Sequence, residues 1–290
     1  MPGERSGSSN GARSLRKIDG TMRPLLNYFG GKWNAAPWIL SQFPDHGIFV
    51  EVFGGAASLM LRKPPARNDV LNDLDDEIYN LYWVMRNQFK ALERKLQFTP
   101  FARKEFELAY QHSRSPVERA RRTIIKSYFG VGDSTFFEGN GFRWSKKVNT
   151  SVPRAWANWV DQVHEIHERL RTVQIENMDW RKVLERFDSP ETLFYLDPPY
   201  IHDTRSHKRG YRLEFTDENH KDLLDGLQDI QGMAIVSCYA HPIYDELRFR
   251  GWQSKTEKFN TLNGKMKSET IFINQRAWEN QTQMNMEFQT

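Results

Sequence analysis

The sequence predicts an α/β protein, with a mostly parallel sheet covered by helices and a helical insertion interrupting it. Three observations predict this. Apolar runs of strand length end in a glycine pair or an acid and lead into helical patterns. Such βα units stand on both sides of a central stretch. Within that stretch the hydrophobic period turns mostly helical and the charge turns basic. A chain of 290 residues, 39% hydrophobic and 13% aromatic, suits one large domain or one domain with a sizeable insertion.

The first stretch, "MPGERSGSSNGARSLRKIDG", is rich in Gly, Ser and Arg and reads as a disordered tail over 1–22. It lacks the apolar region of a secretory signal. Order is expected from near Pro24. "GIFVEVFGGAASLML" (47–61) reads as strand, tight turn and helix. In 67–96 a short strand ends near Asn72, and Ile78, Leu81, Tyr82, Met85, Phe89 and Leu92 then follow at helical spacing. Asp75 and Asp76 stand where a helix N-terminus favours acids.

Ser115-Pro116-Val117-Glu118 has a capping serine, a proline at the first helical position and a glutamate three after the cap. "GVGDSTFFEGNGFRWSKKVN" (130–149) is a glycine-rich, aromatic and basic loop or hairpin. "RAWANWVDQVHEIHERL" (154–170) is helical, with Trp156, Trp159, Val160, Val163, Ile166 and Leu170 on one face. The frame resumes with strands in "TVQIENMDW" and "ETLFYLDPPY". A helix capped at Thr216 or Asp217, the buried strand "MAIVSCY", the short helix "HPIYDELRF" and two closing strands complete it.

Residues 101–160 hold eleven Lys/Arg against five Asp/Glu, in a chain whose net charge is only +4. A basic segment in a nearly neutral chain fits a polyanion-binding surface. On charge alone, a solvated helical face with surplus arginines fits as well. One cysteine, Cys238, excludes an internal disulfide and suits a reducing cytoplasm. No apolar stretch is long enough to span a bilayer, so no membrane partner is expected.

The chemistry-bearing features are four. Gly54-Gly55 after a strand lets a ligand approach the backbone, without matching a dinucleotide fingerprint or a P-loop. Asp73 follows the next strand, where an acid commonly meets a ribose. In "NYFGGKW" Lys32 follows Gly30-Gly31. Asp197-Pro198-Pro199-Tyr200 is a stiff extended spur, because each proline fixes φ and constrains its predecessor. It offers a carboxylate and carbonyls with no competing proline N–H, and Tyr200 offers a stacking face. Each feature alone also reads as a turn, a cap or a rim aromatic.

In this order along one chain, "YFGGK", "FVEVFGGAAS", "NDLDDEIYNLY", "IENMDW", "LFYLDPPY", "AIVSCYAHPIYDEL" and "KMKSETIFIN" resemble the motifs of the Dam-type (alpha-group) N6-adenine DNA methyltransferases, over most of 24–275. The resemblance implies a Rossmann-like seven-stranded methyltransferase sheet with an inserted, mostly helical DNA-recognition subdomain. The catalytic domain would comprise 23–83 and 171–276, the target-recognition insertion 84–170 and a C-terminal tail 277–290.

It further implies S-adenosylmethionine as methyl donor, S-adenosylhomocysteine as its product and no metal. Asp197, Pro198, Pro199 and Tyr200 would be catalytic, with Asp197 and the Pro198 carbonyl accepting hydrogen bonds from the amine and Tyr200 stacking on a flipped adenine. Tyr28, Gly30, Gly31, Lys32, Glu51, Phe53, Gly54, Gly55, Asp73, Asp179, Trp180 and Asp197 would surround the cofactor. Arg119, Arg121, Arg122, Lys126, Arg143, Lys146 and Lys147 in the insertion would contact phosphates of double-stranded DNA. Arg205, Lys208, Arg209 and Arg212 would join them from a lip after the motif. His164 and His167 are expected at the surface. A cytoplasmic monomer or weak dimer is expected, with restriction–modification among its settings. Cytosine N4 is the nearest rival acceptor, RNA a rival substrate, and a non-catalytic nucleic-acid-binding protein a rival class.

Overall fold

The computed structural model describes residues 22–132, 141–146, 151–201, 212–239, 241–260 and 266–287. Seven strands, β1 (Ile48–Glu51), β2 (Asn68–Asn72), β3 (Val173–Glu176), β4 (Thr192–Leu196), β5 (Met233–Cys238), β6 (Gln253–Asn260) and β7 (Met266–Ile273), form one sheet in the order β3-β2-β1-β4-β5-β7-β6. β1 to β5 run parallel, and β7 pairs antiparallel with both β5 and β6. The mixed α/β class and the seven strands agree with the expectation. The central strands read as unbroken apolar runs because both faces are covered: every residue of β4 and β5 is buried.

Eleven helices flank the sheet among the described residues: α1 (Ala36–Leu40), α2 (Ser58–Arg62), α3 (Asp76–Asn87), α4 (Phe89–Gln97), α5 (Arg103–Leu108), α6 (Pro116–Phe129), α7 (Val152–Leu170), α8 (Trp180–Phe187), α9 (Asp217–Gly226), α10 (Pro242–Phe249) and α11 (Gln275–Glu287). Their starts follow the capping chemistry. Asp75 accepts from the Glu77 N–H, and Ser115 from that of Glu118. Thr216 forms a reciprocal capping box with Asn219. The single helical stretch expected over 76–96 is broken at Gln88, whose φ of −128° ends α3 and starts α4.

Three further departures have clear physical reasons. The segment 84–170 does not stand apart: Phe89, Leu92, Ile124, Phe129, Trp156, Trp159 and Val163 share one continuous core with Phe49, Leu71 and Ile235 of the sheet. The expected tail 277–290 includes most of α11, anchored by a fully buried Ala277 and by Asn274, whose side chain accepts from the N–H groups of Ala234 and Ala277. His167 is not a surface residue; its ring stacks on Phe89 at 4.2 Å and hydrogen-bonds the Met85 carbonyl. Residues 1–21 lie outside the described residues. No described helix is long and apolar enough to cross a membrane.

A buried ion triad ties α7 to the sheet. Asp69, at the start of β2, accepts from Lys63 Nζ at 2.7 Å and from an Arg169 guanidinium nitrogen at 2.6 Å. All three side chains are buried. The last turn of α7 is thereby fixed to β2 and to the end of α2.

The sheet order reverses between β1 and β4. β2 and β3 extend to one side, β5 to the other. The carboxyl ends of β1 and β4 therefore flank a crevice, where ligands bind in open parallel sheets.

Candidate active site

Two adjoining cavities meet at that crevice. The first, of about 130 Å³, is lined by Tyr28, Gly30, Gly31, Lys32, Glu51, Phe53, Gly54, Gly55, Asp73, Asp179, Trp180 and Asp197. These are the residues expected around a cofactor, brought together from both halves of the chain. Pro199, expected to be catalytic, and Arg212, expected to contact DNA, line it too, as do Ser58, Asn72, Asp75, Met178 and Phe215, to which the sequence assigned no binding role.

Its floor is the turn after β1. A Cβ on Gly54 would stand 2.7 Å from the Tyr82 hydroxyl and 2.9 Å from the Asn72 carbonyl oxygen. Only glycine fits there. Gly55 has φ +51°, in the left-handed region, and its carbonyl accepts from Tyr82. Asn72 knots three strand ends, donating to the carbonyls of Val52 and Met178 while accepting from the Met178 N–H. Gly54→Ala forces this knot apart, an overpacking cost of about 1–3 kcal/mol. The expected result is a lower melting temperature and loss of ligand affinity in this cavity, measured by differential scanning fluorimetry and calorimetry.

Three carboxylates shape the electrostatics. Asp73 accepts from the N–H groups of Gly55 at 2.7 Å and Asp75 at 2.8 Å, which aims it across the turn. Burial pushes it up to about 7. Glu51 accepts from the Met60 N–H, and burial pushes it up to about 8. An unfolded glutamate titrates near ~4.3, so between there and pH 8 the folded chain holds the extra proton. Stability from Glu51 therefore falls as pH rises through that window and is level above it. Glu51→Gln, which keeps the acceptor oxygen, should flatten the fall in melting temperature between pH 6.5 and 8.

The catalytic candidate motif begins directly after β4. Asp197 and Pro199 line the first cavity; Tyr200 lines the second. Pro198 is buried and lines neither. Lys32 Nζ lies 2.8 Å from both Asp197 oxygens and 2.8 Å from the Gly30 carbonyl, and also donates to the Tyr200 hydroxyl. That hydroxyl in turn hydrogen-bonds Asp197. Burial alone would lower the Lys32 ammonium, but Asp197 and Glu269 outweigh it and hold it up. Burial also pushes Asp197 up, against the pull of Lys32. The two directions are compatible: two buried carboxylates face one ammonium, so the cluster favours an added proton.

The second cavity, of about 500 Å³, is walled by Tyr28 to Lys32, Tyr128, Arg143, Trp156, Tyr200, Tyr239, Phe259 and Glu269, among others. The Tyr28–Lys32 loop is the partition between the two cavities. It is held from α6, where Ser127 Oγ bonds both the N–H and carbonyl of Asn27, and from α7, where Trp159 donates to the Pro24 carbonyl. Tyr200 is only 3% exposed. Tyr239 covers one side of its ring at a centroid distance of 4.2 Å, and Lys32 lies 4.7 Å from the ring centre. A base stacking on that side of Tyr200 would displace Tyr239.

The basic residues are less uniform than the sequence implies. Arg119 pairs with Glu77, Arg121 with Glu105 and Glu118, and Arg122 with Glu118. These carboxylates bind the guanidinium groups that the sequence reading assigned to phosphates. Lys126 sits over the Tyr110 ring, and burial lowers it. Arg212 pairs with Asp75 at the first cavity rather than standing with the insertion. Arg143 lines the second cavity, and Lys146 is exposed beside the exposed Trp144. Both flank a hairpin base closed by Gly130 and Phe142. Lys147, Arg205, Lys208 and Arg209 lie outside the described residues.

The first cavity fits an adenosine-bearing cofactor on its own chemistry. It offers an acid at the β2 end, aromatic walls at Phe53, Trp180 and Phe215, and a glycine floor. The Ser58 hydroxyl on its wall is buried and finds no partner among the described residues.

Comparison with known proteins gives the same direction. The profile of the D12 class N6 adenine-specific DNA methyltransferases matches residues 28–270. Modification methylase LlaI of Lactococcus lactis subsp. lactis is 23% identical over 200 residues, which are 66% of this chain and 32% of that protein. The chain thus spans about a third of the length of the curated relative it matches. Two solved structures superpose loosely. A precorrin 8w decarboxylase from Methanobacterium thermoautotrophicum gives a TM-score of 0.35 at 10% identity, over 82% of this chain and 87% of its own. A conserved hypothetical protein from Streptococcus pyogenes gives 0.36 at 9%, over 84% and 95%. No functional parallel follows from superpositions at this level.

Proposed function

The chain belongs to the D12 class N6 adenine-specific DNA methyltransferase family, and on that premise we propose that it methylates the N6 amine of an adenine turned out of duplex DNA, with S-adenosylmethionine as donor. The motif order supports the Dam-type subgroup. The observation that carries the reading is the position of the Asp197–Tyr200 spur, with one end in each of two adjoining cavities. One cavity takes the donor, the other the target base.

The bound donor supplies an activated methyl group on a sulfonium. The protein does the rest by placement. Asp73 holds ribose hydroxyls, and Ser58 and Glu51 face the polar end of the ligand. Phe53, Trp180 and Phe215 enclose its flat ring. Asp197 accepts hydrogen bonds from the adenine amine. This draws the nitrogen lone pair out of conjugation and stabilises the positive charge growing there. Both reactants are held across one partition, which removes most of the entropic barrier. Tyr200 stacks on the base once Tyr239 gives way. The lone cysteine, Cys238, is buried in β5 and takes no part.

Arg143 and Lys146 at the hairpin are the candidates that support a phosphate contact best; Lys147, Arg205, Lys208 and Arg209 remain candidates by resemblance alone. The relative's name, a modification methylase, supports a restriction–modification setting.

The test is expression in a methylation-free bacterium, followed by mapping of modified bases across its genome. Methyl groups on adenine N6 at one recurring sequence are expected. N4-methylcytosine would overturn the base assignment. Steep salt-dependent duplex binding without donor binding would favour a non-catalytic DNA-binding protein.

A further inference from the structure

Glu269 is a buried group of the second cavity that the mechanism leaves without a role. Its side chain lies on β7, and Ser237 Oγ donates to it at 2.5 Å. Lys32 Nζ stands 3.7 Å away. Glu269 lines the second cavity and not the first.

The contact between Lys32 and Asp197 poses a problem that this residue answers. Lys32 occupies both oxygens of Asp197. Each oxygen keeps a second lone pair, but the ammonium competes with the adenine amine for the same two atoms. An ammonium at that point also repels the positive charge developing on the nitrogen. Withdrawal of Lys32 as the amine docks relieves both conflicts, and a buried ammonium cannot be left without a counter-ion. The Glu269 carboxylate, 3.7 Å from Lys32 Nζ, is the second anion within reach.

We propose that Glu269 is a positioning residue that takes Lys32 from Asp197 when the target amine enters, freeing Asp197 to accept the amine's hydrogen bonds. The inference rests on the adenine-methylation reading. No covalent step is involved; one ion pair is exchanged for another. The exchange needs Glu269 ionised. The groups facing it are Lys32 from the partition loop, Asp197 and Tyr195 from β4 and its end, and Ser237, Cys238 and Tyr239 from β5 and its end. Glu257 is opposite on β6 and exposed. Burial, drawn back by Lys32 and reinforced by Asp197, sets Glu269 at about 7. Below that pH the carboxyl is neutral and Lys32 stays on Asp197. Turnover should thus rise with pH through the neutral range.

The test is steady-state methylation of duplex DNA from pH 6 to 9 by wild type, Glu269→Gln and Glu269→Asp, with donor affinity measured by calorimetry. Glutamine keeps the volume and the acceptor for Ser237. For Glu269→Gln we expect kcat about tenfold or more lower at pH 8, with donor Kd changed by less than about twofold. The rise through neutrality should vanish in Glu269→Gln and return in Glu269→Asp. A wild-type pH profile in Glu269→Gln overturns the inference alone. So does a loss shared equally by kcat and donor affinity, which marks a merely structural role. A wild type that leaves adenine unmethylated overturns the underlying reading, and the inference with it.

Discussion

Asp197→Ala will lower kcat for methyl transfer by about 10³-fold, on the scale of losing a preorganised transition-state contact. The side chain opens the spur that reaches both cavities, and Lys32 is aimed at it from 2.8 Å. Its removal leaves Glu269, 3.7 Å from Nζ, as the carboxylate that faces the buried Lys32. Donor affinity should change by less than about tenfold, because Asp73, Glu51 and the glycine floor remain. Single-turnover transfer from labelled donor, alongside calorimetry, separates the two effects. A variant retaining more than about a tenth of wild-type kcat would show that placement alone suffices. Asp197→Asn is the finer probe: it keeps an acceptor oxygen but discards the charge, so an intermediate rate is expected.

The second large effect is on stability. Asp69→Asn leaves Lys63 and Arg169 buried as two cations without a carboxylate between them. Breaking a buried ion cluster from one side costs about 3–5 kcal/mol. At roughly 2–4 °C per kcal/mol for a chain of this size, the melting temperature should fall by about 10 °C. The exposed Arg67–Glu191 pair provides the contrast. Glu191→Gln there should cost under about 1 kcal/mol. Equal effects of the two substitutions would refute the argument. The cost should also appear as faster proteolysis near α7, since the triad is what fastens its last turn to β2.

Much of the fold was legible because its signals are local. A glycine pair at Gly54-Gly55, an acid at Asp73 and the prolines after Asp197 each announce a strand end in a few residues. Many cavity residues came with them, since Glu51, Phe53, Gly54, Gly55, Asp73 and Asp197 sit at carboxyl ends of strands. Glu269, Tyr239 and Asn72 were not legible in the same way. Their roles depend on the sheet order, which sets β7 beside β5 and β5 beside β4, and on the knot across β1, β2 and β3. No sequence spacing carries that.

The arginines of α6 were partly readable. Glu118 stands three and four residues before Arg121 and Arg122, the spacing at which helical side chains pair. The long-range partners Glu77 and Glu105 were not. The C-terminal helix was read as a tail because its sequence is polar; among its described side chains Ala277 and Trp278 join the core.

The loop from Tyr28 to Lys32 forms a wall of both cavities. Two ligands that press on opposite sides of one short backbone segment share its conformational equilibrium. Their binding free energies are then linked, and the linkage is reciprocal. Whatever factor donor occupancy lends to duplex affinity, duplex occupancy lends back to the donor. A ligand that spans the partition would collect both contributions at once, so inhibitors joining a donor-like and a base-like moiety should gain more than the sum of their halves.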